Sequence, residues 1–465
     1  MRKLQKHTIF YMMNKLASLF LRNTFAGAFS LLAINSAQAD DLYTLFNKAK
    51  LYSPHLPLAY TQSEIAKQKT NQALASKDPK INFTAQEKKG FNKQPAHEET
   101  DYRSRNYAVQ FSIPVYNKSQ DEAIKTNKIG EKIALEQLQA NYNELLQNIV
   151  EQYFIILNLN SKLNLIQQQQ ILVLEQKKMA TANFNQGMVS ITDLREAEAK
   201  LSTLQSQENS MRFEIAKEKS ILAEFIGTDT ISFVENKTSL EKLPPLSYTD
   251  QAHYNQLLLE KNNQIKLSEL NLDVAKGEIK QSEAERYPVL NFSAKLTRNL
   301  DSQDSAFTSK QNGLDYLYGF ELNIPMYNTE TSYKIKEKRA SLEKSRYELQ
   351  LSTQKQKAQM LDAFYSTLSA INKANGMKDA EDSSQKAWIA NKRAYEVGMR
   401  VNAEVLEAQA KYFENKQERL SAWYEAWQNY IKLKITTGIL TEQQIIDIDH
   451  IFYSTSSQLS SRYDR

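Results

Sequence analysis

Ile113-Pro114-Val115-Tyr116-Asn117 returns 211 positions later as Ile324-Pro325-Met326-Tyr327-Asn328. The same offset carries Gly187-Met188 onto Gly398-Met399, Glu196-Ala197 onto Glu407-Ala408, Ala199-Lys200 onto Ala410-Lys411 and Gly227 onto Gly438, without a gap. Upstream, Pro79 to Phe83 pairs with Pro288 to Phe292 at an offset of 209, so the intervening loops differ by two residues. Islands of identity that keep one register across this span mark a tandem duplication, and each copy must then build the same unit.

Both copies read in one order. A helix, about Leu42 to Ser76 in the first, leads to a proline-started strand, a polar loop, a second strand ending at Ile-Pro, a very long helix, a glycine turn and a shorter helix closing at Gly227. The second copy runs likewise from Thr249 to Gly438. In the long helix Leu135, Leu138, Tyr142, Leu145, Ile149, Ile156, Leu159, Leu163 and Ile166 alternate spacings of three and four, with Gln152 the polar break. That is a coiled-coil seam. From Lys118 to Gln186 the helix would run on the order of 100 Å at 1.5 Å per residue. Its closing partner is about half as long, so the leading and closing helices, stacked end to end, are expected to flank it in a rod of antiparallel helices.

The strands alternate with a period of two. Tyr107, Val109, Phe111, Ile113 and Val115 interleave with Ala108, Gln110, Ser112 and Pro114; Tyr316, Tyr318, Phe320, Leu322, Ile324 and Met326 interleave with Leu317, Gly319, Glu321 and Asn323. Ile81, Phe83 and Ala85 match Leu290, Phe292 and Ala294 as shorter versions. An aromatic apolar face on stretches of about ten residues fits membrane-spanning barrel strands, and it equally fits a small antiparallel sheet capping the helices. If the barrel reading holds, four strands leave open edges that lipid does not tolerate. Two chains would give eight strands and a filled barrel, three give twelve and a water-filled lumen, so a trimer is the smallest conduit.

Composition narrows the field. With 11 glycines and nine prolines in 465 residues, long helices are favoured over a loop-rich enzyme fold. Of 59 basic residues against 54 acidic, Arg2, Lys3, Lys6, Lys15 and Arg22 fall in the first 39 positions, where no acid stands. The remainder is neutral, which argues against a nucleic-acid partner. Cysteine is absent, excluding disulfides, thiolate metal sites and thiol nucleophiles. The N-terminus reads as a secretory signal over residues 1–39: a basic stretch, an apolar run from Phe25 to Ile34 and an Ala37-Gln38-Ala39 cleavage site, with Asp40 opening the mature chain and Met12 or Met13 as alternative starts. After Asp40 there is no apolar run of about 18 residues, so a membrane could be crossed only by strands.

Two longer stretches then carry a resemblance. Ala182-Asn183-Phe184-Asn185-Gln186-Gly187-Met188-Val189-Ser190-Ile191-Thr192-Asp193 and Ala394-Tyr395-Glu396-Val397-Gly398-Met399-Arg400-Val401-Asn402-Ala403-Glu404-Val405-Leu406-Glu407 look like the two periplasmic hairpin tips of the TolC-like outer-membrane factor family. The resemblance covers most of the mature chain. It implies a mainly α fold carrying a membrane β-barrel: a trimeric channel-tunnel with four strands per protomer in a twelve-stranded barrel and long coiled-coil helices in the periplasm. It implies a homotrimer in outer-membrane lipid that docks through a periplasmic adaptor (membrane fusion protein) on an inner-membrane transporter. The expected layout is a first repeat over 40–227, an equatorial segment over 228–248, a second repeat over 249–438, and a further equatorial segment with a serine-rich tail over 439–465.

The copies diverge at the tips. Phe184 corresponds to Tyr395, which gains a hydroxyl, and Val189 to Arg400, which gains five donors. By resemblance Asp193 pairs with Tyr395 and Thr192 with Arg400 to hold the tunnel entrance closed, while Gly187, Met188, Val189, Gly398 and Met399 meet the adaptor. Plainer roles exist: Gly187 and Gly398 as turn residues, Asp193 in a Ser190-x-x-Asp193 capping box, Arg400 as a solubilising charge. Glu404 and Glu407 match family positions that usually carry constriction aspartates, and threefold symmetry would repeat them as acidic rings. Acids in a first helical turn also favour the helix dipole. The five histidines are scattered, and no phosphate loop or Ser-His-Asp arrangement is present, so neither an enzyme nor a cofactor or metal is expected. The competing reading is a soluble periplasmic coiled-coil scaffold, which explains the heptads but not duplicated alternating strands.

Overall fold

Asp41 accepts a hydrogen bond from the Thr44 amide at 2.7 Å and so starts helix α1, Leu42–Tyr52. The structure is a computed structural model and describes residues 41–92, 100–228, 242–303 and 313–453. The expected signal over 1–39, most of the segment 228–248 and the tail beyond Tyr453 lie outside the described residues.

The single leading helix expected from Leu42 to Ser76 is instead two, because the chain breaks at Ser53-Pro54. Ser53 is extended, with ψ at 129°, as a residue before proline prefers. Helix α2, His55–Ala75, restarts from Pro54 and tolerates Pro57 in its first turn, where amides lack helical partners anyway. Strands β1, Lys80–Asn92, and β2, Thr100–Asn117, follow. Helix α3, Lys118–Asn185, has 68 residues and is capped by Asn117, whose side chain accepts from the Gln120 amide at 3.2 Å. Helix α4, Ile191–Ile226, closes the first copy at Gly227.

The second copy repeats the plan with α5, Gln251–Lys261, α6, Asn263–Ala284, β3, Val289–Gln303, β4, Gly313–Asn323, α7, Thr329–Glu396, and α8, Asn402–Thr436. A last helix, α9, Glu442–Tyr453, occupies the expected second equatorial segment. Here the leading helix breaks without a proline. Asn262 takes the role: 5% exposed, it caps the Ile265 amide at 2.9 Å and donates to Thr436 O at 2.7 Å and Gln356 Oε1 at 3.1 Å.

Around α3 the neighbours are α2, α4, α6 and α8, while α7 packs against α6 and α8. The 21 residues of α2 and the 36 of α4 thus flank the 68 of α3, with α1 set beside the junction rather than in line. The heptad seam is buried at Leu145, Ile149, Ile156, Leu159 and Ile166, but its first member, Leu135, is 54% exposed, since α2 and α6 cover other sides of α3 there. The main core lies at the level of the helix breaks. Phe46, Leu146, Tyr153, Phe154, Trp423 and Trp427 pack there, and both indoles donate to the Lys242 carbonyl, at 2.9 and 3.2 Å.

The strands form one antiparallel sheet in the order β1-β2-β3-β4. The second strand was expected to end at Ile113-Pro114. Instead β2 runs on to Asn117 through an irregularity between Pro114 and Tyr116, where the proline has no N–H to give the ladder. Register places Phe83 beside Val109, Phe111 beside Ala294, Ile113 beside Phe292 and Phe292 beside Phe320, all on one face. Rings of Phe292 and Phe320 stand 5.1 Å apart, and those of Phe111 and Phe292 6.2 Å. That face is uncovered: Phe83, Tyr316, Tyr318 and Phe320 are 68 to 78% exposed. Its reverse carries Asn82, Thr84, Gln110, Ser112, Asn291 and Glu321. Among the described residues no helix is long and apolar enough to cross a membrane.

Candidate functional site

The two helical hairpins end in the same turn. The Gly187 amide bonds to Phe184 O at 2.8 Å and that of Met188 to Asn183 O at 2.9 Å; Gly398 and Met399 repeat this with Tyr395 O and Ala394 O at 2.9 and 2.8 Å. Both glycines sit at left-handed φ, 73° and 78°, as this helix-ending motif requires. Met188 and Met399 project into solvent, 62 and 82% exposed, and Val189 is half-buried.

Ser190 caps α4 through the Thr192 amide at 3.2 Å rather than through Asp193. The Asp193 carboxylate is therefore not consumed by a capping box, and its field reaches Tyr395. Burial raises the Tyr395 hydroxyl above its ordinary pKa, the neighbouring Asn183 amide opposes the rise, and Asp193 adds to it. The hydroxyl is buried without a hydrogen bond of good geometry, so Asp193 and Tyr395 are neighbours but not bonded. Thr192 and Arg400 are not joined by any hydrogen bond among the described residues. Arg400 turns to Glu404 of its own helix: Nη1 lies 3.0 Å from Oε2, an ion pair lacking the alignment of a hydrogen bond. Glu407, one turn on, is exposed.

Asn402 escapes a reading by sequence motif. It is 1% exposed and donates from Nδ2 to the Asp193 backbone carbonyl at 3.3 Å, tying the second tip to the first. Its counterpart in the first copy is Ile191, an apolar-to-polar change like those at Tyr395 and Arg400, and comparison of the copies would have found it. Gln409 is wholly buried with neither amide atom paired, and Gln176 Oε1 and Glu196 Oε2 are likewise buried without partners. Behind the tips, Ile166, Val173, Leu204 and Leu406 close the packing between α3, α4 and α8. Trp388 stacks on Tyr412 at 5.5 Å, and two turns away on the same two helices a well-shielded Arg419–Glu381 pair closes to 3.0 Å. Among the described residues no group of three or more His, Cys, Asp or Glu could hold a metal ion.

The outer membrane efflux protein family model matches residues 45–228 and again 255–438, once in each copy. The chain belongs to the outer membrane efflux protein family. Among its relatives, outer membrane protein TolC of Escherichia coli K12 is 22% identical over 451 residues, covering 94% of this chain and 89% of TolC. The alkaline protease secretion protein AprF of Pseudomonas aeruginosa is 22% identical over 434 residues, covering 90% of this chain and 89% of AprF. Of solved structures, outer membrane protein VceC of Vibrio cholerae superposes with a TM-score of 0.72 at 15% identity, over 85% of this chain and 96% of VceC. The fold is that of these channel-tunnels, and membership places the protein in the outer membrane of a Gram-negative bacterium, its helices extending into the periplasm.

Proposed function

We propose that three copies of this chain assemble into a passive, gated exit duct for an efflux pump or a type I secretion system. The observation that carries it is the sheet: one face apolar and uncovered, one face polar, and two free edges, all set on helices of 68 residues. In lipid such edges must be paired, and joining copies edge to edge pairs them while turning the polar face to a lumen. The repeats 40–227 and 249–438 each supply one hairpin of strands and one of helices. A soluble scaffold would leave the aromatic face of the sheet unaccounted for.

The helical tips are the gate in this reading. Asp193, Tyr395, Thr192 and Arg400 are its contacts, Glu404 and Glu407 face the constriction, and Gly187, Met188, Val189, Gly398 and Met399 meet a periplasmic adaptor that opens the duct onto an inner-membrane transporter. The protein itself does no chemistry; the adaptor and pump supply the work. Each gate contact would stabilise the closed form by only about 0.5–1.5 kcal/mol, so threefold repetition is needed to keep it shut. Single-channel recording in planar bilayers tests this. Tyr395→Phe with Arg400→Ser should raise conductance; an unchanged conductance removes the gate assignment, and absence of any pore in the wild type removes the duct.

A further inference from the structure

Beyond its aromatic band the uncovered face of the sheet changes character. Arg105 and Arg103 follow Tyr107 at the next two same-face positions of β2, and Lys89 of β1 stands opposite Arg103. Arg298 of β3 stands opposite Tyr107. With paired positions about 5 Å apart and two residues of strand about 7 Å, the four cations share a patch on the order of 15 Å across. Glu87 is the one acid among the described side chains there. It pairs with Arg103 and lies 3.7 Å from Arg105, while Lys89 and Arg298 have no ion-pair partner among the described residues.

Two placements say what this patch meets. All three arginines of the described strands lie on the apolar face, whereas the reverse face at that height holds an amide chain, Asn106 Nδ2 to Asn299 Oδ1 at 2.6 Å and Asn299 Nδ2 to Asp315 Oδ2 at 3.2 Å. A cargo anion in the lumen would therefore not touch the arginines, but membrane lipid would. The strands join the helices at Lys80 and Asn117, so the patch sits toward the hairpin connections, at the outer-leaflet end. Tyrosine just below cationic residues is the order expected where hydrocarbon gives way to headgroups.

We propose that Lys89, Arg103, Arg105 and Arg298 bind the phosphates of outer-leaflet lipid A, with Glu87 holding the two β2 guanidinium groups in place. Guanidinium forks match phosphate oxygens in pairs, and the patch replaces, at the protein's edge, cations that otherwise bridge neighbouring glycolipids. The inference rests on the apolar face being the lipid face of the duct.

The test is native mass spectrometry of the full-length assembled protein offered bisphosphorylated lipid A, its dephosphorylated form, or phosphatidylglycerol. Bisphosphorylated lipid A should be retained in preference to both. Each of Arg103→Ser, Arg105→Ser and Arg298→Ser should weaken retention about fivefold and the triple variant on the order of a hundredfold, while Lys88→Ser on the reverse face changes it less than about twofold. Equal retention of the dephosphorylated lipid or of phosphatidylglycerol by the wild type overturns the proposal without any variant. So does a triple variant that binds normally, or a Lys88→Ser loss as large as that of Arg105→Ser. Failure of the wild type to assemble at all would strike the duct reading instead.

Discussion

Gly438 and Gly398 share a left-handed backbone, at φ 71° and 78°, yet their surroundings differ. A Cβ on Gly398 would meet open space; one on Gly438 would stand 2.5 Å from Lys261 O, and one on Gly227 would enter the Tyr52 ring at 2.2 to 2.3 Å. The left-handed cost of an alanine, about 1–2 kcal/mol, is common to all of them. Overpacking adds about 1–3 kcal/mol only at the two helix ends. Gly438→Ala should therefore lower the urea midpoint of the detergent-solubilised protein clearly more than Gly398→Ala; equal losses would mean that the Lys261 contact yields freely. Each glycine's role as a turn could be read from its place after a helix and from its repetition. The close approach could not, because it joins Gly438 to a residue 177 positions earlier through packing that only the folded helices create.

Helix α9 is held at one point that titrates. The Glu442 carboxylate accepts from Lys50 Nζ at 2.8 Å and from the Tyr142 hydroxyl at 2.5 Å. Lys50 first, then Tyr142, holds its pKa below the ordinary 4.5. A carboxyl depressed on folding contributes stability above its unfolded value and loses it as pH falls through the folded one. Wild type should thus protect the α9 amides from exchange better than Glu442→Gln at pH 7, with the gap closing as pH drops below 4.5. Because the pair is partly exposed, the gap at pH 7 should stay below about 1 kcal/mol. A constant gap across that range would assign the difference to shape rather than charge. Other elements were unequally legible. The heptads marked the middle of α3 from Leu135 to Ile166, the strand before it and the glycine turn after it set its ends, and Pro54 carried a visible signal for the α1–α2 break. The matching break at Asn262 carried none, since an asparagine in a polar stretch announces neither burial nor three hydrogen bonds.

For the molecule as a whole, the alternation of strands gave the sheet but not which medium wets it. Tyr318 and Leu317 are adjacent, on opposite faces of β4, and nearly equally exposed at 78 and 71%. A lysine on a lipid face costs about 2–4 kcal/mol near mid-bilayer, whereas one facing a lumen costs little. Tyr318→Lys should reduce the heat-modifiable assembled form on gels while Leu317→Lys preserves it. Equal behaviour of the two would leave the sheet as a soluble cap. The duplication made the number of strands and the shared plan of the two copies legible in advance, but not the break of each leading helix into two. The gate did not yield as readily: Tyr395 and Arg400 stand out by their divergence between copies and Asp193 only by resemblance, and within this protomer Arg400 has turned to Glu404, a near neighbour that competes at no loop-closure cost.

Strands β1 and β4 bound the sheet and run in opposite directions, as the ends of any even antiparallel set must. Copies can then be seamed head to tail, β4 of one against β1 of the next, without a parallel junction anywhere in the circuit. Such a circuit has no spare position. A copy with a spoiled margin cannot be left out once it has joined, so in a cell making both kinds a minority of faulty chains would disable a majority of finished pores, and the fault would behave as genetically dominant.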